Sequence, residues 1–309
     1  KPHQQAPGML RNLCTSRRSA STSEIVRAAT KYLHAAPAAP GVVDLTLSNE
    51  RATITLDNEA HRNALTPHMM LQLSEAIEEL ERWDGGRCVV LRGSGGTFCT
   101  GADLSAARSY VATPEDGALM CAFMQHWTTR LSDLALVSVA QVEGFAIGGG
   151  TELSTATDYR VFASDATWRM VHMRMGVTPG WGGGRRLVKL VGRQHALRLL
   201  GTAVPVQATD ALAINLADAV ADGADGAASS TGGAGSCWGH IALSIEDAIE
   251  QIVEEFREGG GGGALSAARA AKMVVANADA GGDDDDAARE ATLAAERCIF
   301  TSLWGGDAN

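Results

Sequence analysis

Over residues 51–57 apolar and polar side chains alternate: Ile54 and Leu56 are interleaved with Thr53, Thr55 and Asp57. A period of two is the mark of a half-buried strand. With the preceding VDLTLS it predicts a hairpin over 43–58, turned at Asn49 and Glu50. The period then lengthens. In TPHMMLQLSEAIEELERW (66–83) Met70, Leu73, Ile77 and Leu80 recur at helical spacing, Thr66 offers an N-cap and Pro67 fits the first turn. CVVLRG (88–93) and LVSVAQV (136–142) read as strands, 114–132 as a helix between them, and 24–35 as a short helix ending before Pro37 and Pro40. Strands alternating with helices predict an α/β architecture with parallel pairing.

The texture changes beyond about residue 205. ADGADGAASSTGGAGS (221–236) is of low complexity, and EGGGGGA (258–264) and AGGDDDDAA (280–288) are similar breaks between helical stretches at 244–257, 264–278 and 287–303. The expected organisation is an N-terminal tail over 1–40, a core over 41–205 and a helical region with Gly-rich insertions over 206–309. RNLCTSRRSASTS, with Arg and Ser and no acid before Glu24, reads as a disordered tail or a mitochondrial transit segment, and the chain opens on Lys1 rather than Met.

Composition narrows the function classes. Of 309 residues 45% are hydrophobic and 20% charged, enough for a sizeable core. The net charge of −10 disfavours nucleic acid, whose phosphates need clustered Lys and Arg, so an anionic ligand must be held by backbone donors or a few placed cations. No apolar run reaches the ~18 residues of a membrane span. Six scattered cysteines without a CxxC read as reduced thiols, and His61, His68, His126, His195 and His240 show no metal-ligand spacing. The expectation is no metal and no separate cofactor.

Two loops share one design. In FCTGADL and in AIGGGTEL a strand and a glycine precede a small residue, Ala102 in the first and Gly149 in the second, close to a helix start. Unpaired N–H groups at such positions can hold negative charge if both aim at one point. Small residues let a ligand approach the backbone. Glu152 lies one turn into the second helix, able to face the same cavity or to act as a capping carboxylate. Neither loop matches a dinucleotide or phosphate-binding signature. A third motif, WRMVHMRMGVTPGWGGGRRLVKLVG (168–192), reads as a strand running into Met175-Gly176, a Pro-Gly turn and a basic helix.

HRNAL (61–65), FCTGADL, GFAIGGGTEL, the DYR after Thr157 and MGVTPGWGGGRRL, in that order, resemble the crotonase superfamily of acyl-CoA enzymes. The resemblance implies a (ββα)n spiral core with a helical C-terminal part, an acyl-CoA thioester as ligand and an enolate held by the Ala102 and Gly149 amides. It places Arg62, Asn63 and Ala64, with Gly101, Asp103, Leu104 and Gly148, against the CoA moiety. Hydratases of the superfamily use two glutamates. Glu152 would be the first, but the second position falls in VHMRMG and holds His172, so water addition is not expected. LERWDGG, TPEDG, FMQ, MVHMRMG, GWGGG and LWGGDAN are similar to members that decarboxylate malonyl-type thioesters, ethylmalonyl-CoA better than methylmalonyl-CoA. That likeness implies a cytosolic metabolite-repair activity in a homotrimer or hexamer, with mitochondrial residence as the alternative. Glu152 or His172 would pass the proton to the α-carbon, His172 would otherwise hold the substrate carboxylate, and Pro179 and Trp181 would wall the acyl pocket. Gly184 stands where relatives often carry Thr, a lost cap hydroxyl.

Overall fold

A computed structural model describes residues 22–111, 113–221, 239–241 and 244–258, together with Lys272 and Val275. The predicted hairpin forms from β1 (Val42–Ser48) and β2 (Arg51–Asp57), antiparallel with Val42 opposite Asp57, and Asn49 takes the left-handed turn position at φ 51°. Among the described residues seven strands make one sheet in the order β1-β2-β3-β4-β6-β9-β10, parallel from β2 onward, with β3 (Cys88–Gly93), β4 (Val137–Val142), β6 (Tyr159–Ala163), β9 (Ala219–Ala221) and β10 (Gly239–Ile241). A smaller sheet joins β5 (Phe145–Ile147), β7 (Thr167–Arg169) and β8 (Val206–Gln207).

Parallel strands covered on both faces need apolar side chains at consecutive positions. All six residues of β4 are accordingly buried. One face of the large sheet carries Ile54, Leu56 and Leu91, in the same cluster as Met69, Met70, Leu73 and Ile77 of α2 (Pro67–Arg82), after α1 (Thr22–His34) in chain order. The other face sets Val90, Val139 and Val161 against Ala248, Ile249 and Ile252 of a helix over Ile245–Glu258. Thr66 caps α2 by accepting from the Met69 N–H. The motif at 158–160 ties the later strands together: Asp158 accepts from the Ser138 N–H and hydroxyl at 2.8 Å, and buried Arg160 donates to the Leu216 and Thr157 carbonyls and the Asp218 carboxylate.

The short helix expected over 24–35 forms as α1, within the span read as tail, and buries Ala29 and Leu33 in the core. Residues 1–21 lie outside the described residues. The helix start expected near Ala102 is α3 (Leu104–Tyr110), whose extent the pattern did not mark and which Asp103 caps; α4 (Pro114–Asp133) follows behind a Thr113–Asp116 capping box. The strand expected to reach Met175 stops at Arg169, and His172 opens a 3-10 turn (His172–Met175) closed by Gly176 at φ 71°. The stretches at 221–236, 264–278 and 287–303 fall almost wholly outside the described residues.

Candidate active site

The two glycine-bearing loops meet because the segment 98–103 threads between two neighbours. On one side Cys99 pairs in parallel with Ala146: the Cys99 N–H donates to the Phe145 carbonyl at 3.0 Å, and the Ile147 N–H to the Cys99 carbonyl at 2.9 Å. On the other side Leu65 pairs with Ala102, its N–H donating to the Gly101 carbonyl at 2.7 Å and its carbonyl accepting from Asp103 at 2.9 Å. In a parallel pairing the flanking residues make the bonds and the middle residue's own groups point away. The Ala102 N–H is therefore turned from Leu65. Ala102 and Gly149 each lie three residues beyond the Cys99–Ala146 pair. Among the described residues no acceptor takes either amide.

The fit between the loops excludes larger residues. Gly101 has φ +91°, and a β-carbon there would lie 2.7 Å from the Gly149 nitrogen. Gly149, the first residue of α5 (Gly149–Ser154), abuts the indole of Trp181, and a β-carbon on it would lie 2.5 Å from the ring. Trp181 is 3% exposed and its carbonyl accepts from the Thr128 hydroxyl at 2.8 Å. Gly148 anchors the loop by donating to the Arg169 carbonyl at 3.0 Å.

Glu152 is wholly buried, and its carboxylate reaches out of α5 to the start of the next helix, α6 (Gly183–Thr202). Oε2 accepts from the Trp181 and Gly183 N–H groups at 2.7 and 2.9 Å, and Oε1 from Gly180 at 3.1 Å. No side chain at the N-cap, Gly182, serves α6. Gly184, read as a lost cap position, instead lies inside the helix, and the first turn is served by a carboxylate from another element, which suits the positive end of a helix. His172 Nε2 lies 3.1 Å from Glu152 Oε1, while its Nδ1 is buried and has no partner among the described residues. His172 also borders a mostly apolar cleft of about 420 Å³ that includes Met170, Val177, Pro179, Gly184 and Leu200.

Arg186, which the pattern reading passed over, braces this assembly. Its guanidinium donates to the Glu152 and Trp181 carbonyls and to the Thr155 and Thr128 hydroxyls. Burial lowers its pKa to about 10 despite the opposing pull of Glu152. The basic run at 185–186 was the available signal; nothing local marks Thr128 or Gln125, which holds the Gly180 carbonyl.

The HRNAL residues form the turn that leads into the Leu65–Ala102 pairing. Asn63 is fully buried; its side chain accepts from the Asn58 N–H and donates to the Ser94 and Thr97 carbonyls, so it builds the turn. Ala64 is buried beside it, and Arg62 is exposed with its guanidinium 5.4 Å from the centre of the Phe145 ring. Leu104 is 56% exposed. Asp103 caps α3 through Oδ1, and His61, read from sequence as a plain surface or core residue, approaches its Oδ2 at 2.6 Å.

A parallel-stranded α/β core with two unengaged amides on adjoining loops beside a buried Glu–His contact defines a protein of the crotonase fold class. The chain belongs to the enoyl-CoA hydratase/isomerase family, whose model matches residues 47–277. It is 44% identical over 186 residues to ethylmalonyl-CoA decarboxylase of Xenopus laevis, covering 60% of this chain and 62% of that one. It is 38% identical over 270 residues to ethylmalonyl-CoA decarboxylase of Gallus gallus, covering 86% and 81%. Among solved structures, enoyl-CoA hydratase from Bacillus anthracis superposes with a TM-score of 0.69 at 23% identity over 84% of this chain and 90% of that one. A putative enoyl-CoA hydratase from Thermobifida fusca in complex with acetoacetyl-CoA gives 0.64 at 26% identity over 89% and 98%.

Proposed function

We propose that the chain decarboxylates ethylmalonyl-CoA to butyryl-CoA and, less well, methylmalonyl-CoA to propionyl-CoA, as a metabolite-repair enzyme of the cytosol working as a trimer or hexamer. The observation that carries the reading is the partner of Glu152. A water-adding site needs a second carboxylate to share the proton work. Here the facing side chain is His172, and both Glu152 oxygens are already bonded to backbone N–H groups.

Decarboxylation asks for less. The bond from the α-carbon to the carboxylate breaks, its electron pair moves into the thioester as an enolate, and CO2 departs. The Ala102 and Gly149 amides then hold the enolate oxygen, each contributing ~3–4 kcal/mol to transition-state stabilisation. A proton must be returned to the α-carbon. Glu152 is committed as an acceptor to three amides, whereas His172 meets it only through Nε2 and borders the apolar cleft. We assign the proton to His172 and the orientation of His172 to Glu152. Trp181 closes the floor beneath Gly149 and keeps water from the carbanion.

The test is to incubate the purified chain with ethylmalonyl-CoA, methylmalonyl-CoA and crotonyl-CoA and follow the products by mass. Loss of CO2 from the first two without hydration of the third is expected. Hydration of crotonyl-CoA alone would make the chain a hydratase, and CoA binding with no turnover would make it a binding protein; either overturns the reading.

A further inference from the structure

We propose that His61 and Asp103 form a positioning pair that holds the Ala102 amide in its productive direction. The proposal rests on the oxyanion role given to that amide above. Capping α3 occupies only one Asp103 oxygen: Oδ1 accepts from the Ser105 N–H and hydroxyl and the Ala106 N–H. The second oxygen is taken by a side chain 42 residues away, His61 Nδ1 at 2.6 Å. Asp103 is 4% exposed, and although burial pushes its pKa up, the bonds from Ser105, Ala106 and His61 outweigh this and bring it to about 2.

The turn that delivers His61 is built at a cost. Arg62 and Asn63 are consecutive non-glycine residues in the left-handed region, at φ 52° and 55°. Such backbone persists only where its surroundings over-determine it. They do so here. Asn58 holds the Ala64 carbonyl, Asn63 is bonded on both ends of its amide, and the Thr100 hydroxyl donates to the His61 and Arg62 carbonyls. Residue 102 is consequently clamped twice: Leu65 holds the main chain of its neighbours on both sides, and His61 holds the side chain of the next residue. A rotation of the 101–102 peptide that would re-aim the amide must break the Leu65–Gly101 bond, and any accompanying shift of residue 103 is resisted by His61.

The experiment uses the full chain and His61→Ala, His61→Gln and, as a control, His68→Ala, which is exposed in the first turn of α2. Two readouts are taken: kcat and KM for decarboxylation, and the absorption of a bound aryl-enoyl-CoA, whose chromophore shifts to the red when its carbonyl is polarised by hydrogen bonds. For His61→Ala the expectation is a kcat lower by about tenfold, the loss of one charge-assisted contact, with KM nearly unchanged and a smaller red shift. His61→Gln, which keeps a donor, should recover most of both, and His68→Ala should match the parent. A parent chain that gives no red shift would overturn the oxyanion reading itself. A red shift and kcat equal in parent and His61→Ala would overturn the pair alone, as would a raised KM at unchanged kcat, which would make His61 a CoA contact.

Discussion

Glu152→Gln tests whether the buried carboxylate is an anchor. In the parent four nitrogens surround its two oxygens: Trp181 and Gly183 on Oε2, Gly180 and His172 Nε2 on Oε1. An amide has one acceptor oxygen. If it keeps Trp181 and Gly183, the new NH2 faces the Gly180 N–H, and turning the amide over orphans two amides instead of one. One buried donor left without an acceptor costs ~1–3 kcal/mol, and weakening the remaining charge-assisted bonds adds ~1–2 kcal/mol. The sum, about 2–5 kcal/mol, lowers Tm by about 4–20 °C at ~2–4 °C per kcal/mol for a large domain. Differential scanning calorimetry reads this directly, and near-ultraviolet circular dichroism reports whether Trp181 has moved. His172→Ala supplies the contrast. It leaves all three amide bonds intact, so its melting point should fall by less than half as much while kcat falls by about 100-fold, a typical contribution of a proton donor. A Glu152→Gln protein melting within about 2 °C of the parent would refute the anchoring role.

Gly149→Ala places a β-carbon 2.5 Å from the Trp181 ring, so the loop must shift and kcat should fall by ~10²–10³-fold with folded protein still recovered, measured by steady-state turnover and circular dichroism. Asp103 titrates low, from an ordinary 3.8 to about 2, so its contribution to stability is complete above pH about 4 and lost as pH falls through about 2. Denaturant melts of the parent and Asp103→Asn between these limits should accordingly converge, and a constant gap would refute the linkage. Burial lifts the Cys99 thiol to about 12, so mass mapping after alkylation at pH 8 should find it unmodified until the chain is unfolded.

Elements with local causes are legible along the chain. The β1–β2 alternation, the apolar stripe of α2 and its Thr66 cap depend on neighbours within four residues, and each appears at its expected position. The glycines of the two loops were legible for the same reason, as was the histidine where a second carboxylate would stand. What these residues meet depends on how distant segments pack. The two loops meet through the parallel pairing of Cys99 with Ala146, with Gly101 against the Gly149 nitrogen, a pairing that no spacing along the chain encodes. Glu152 is spent on the amides of Gly180, Trp181 and Gly183, and His61 is joined to Asp103, because packing brings those segments within hydrogen-bond reach. Periodicity records which face of an element is buried; the partner waiting on that face is chosen by the arrangement of the whole chain.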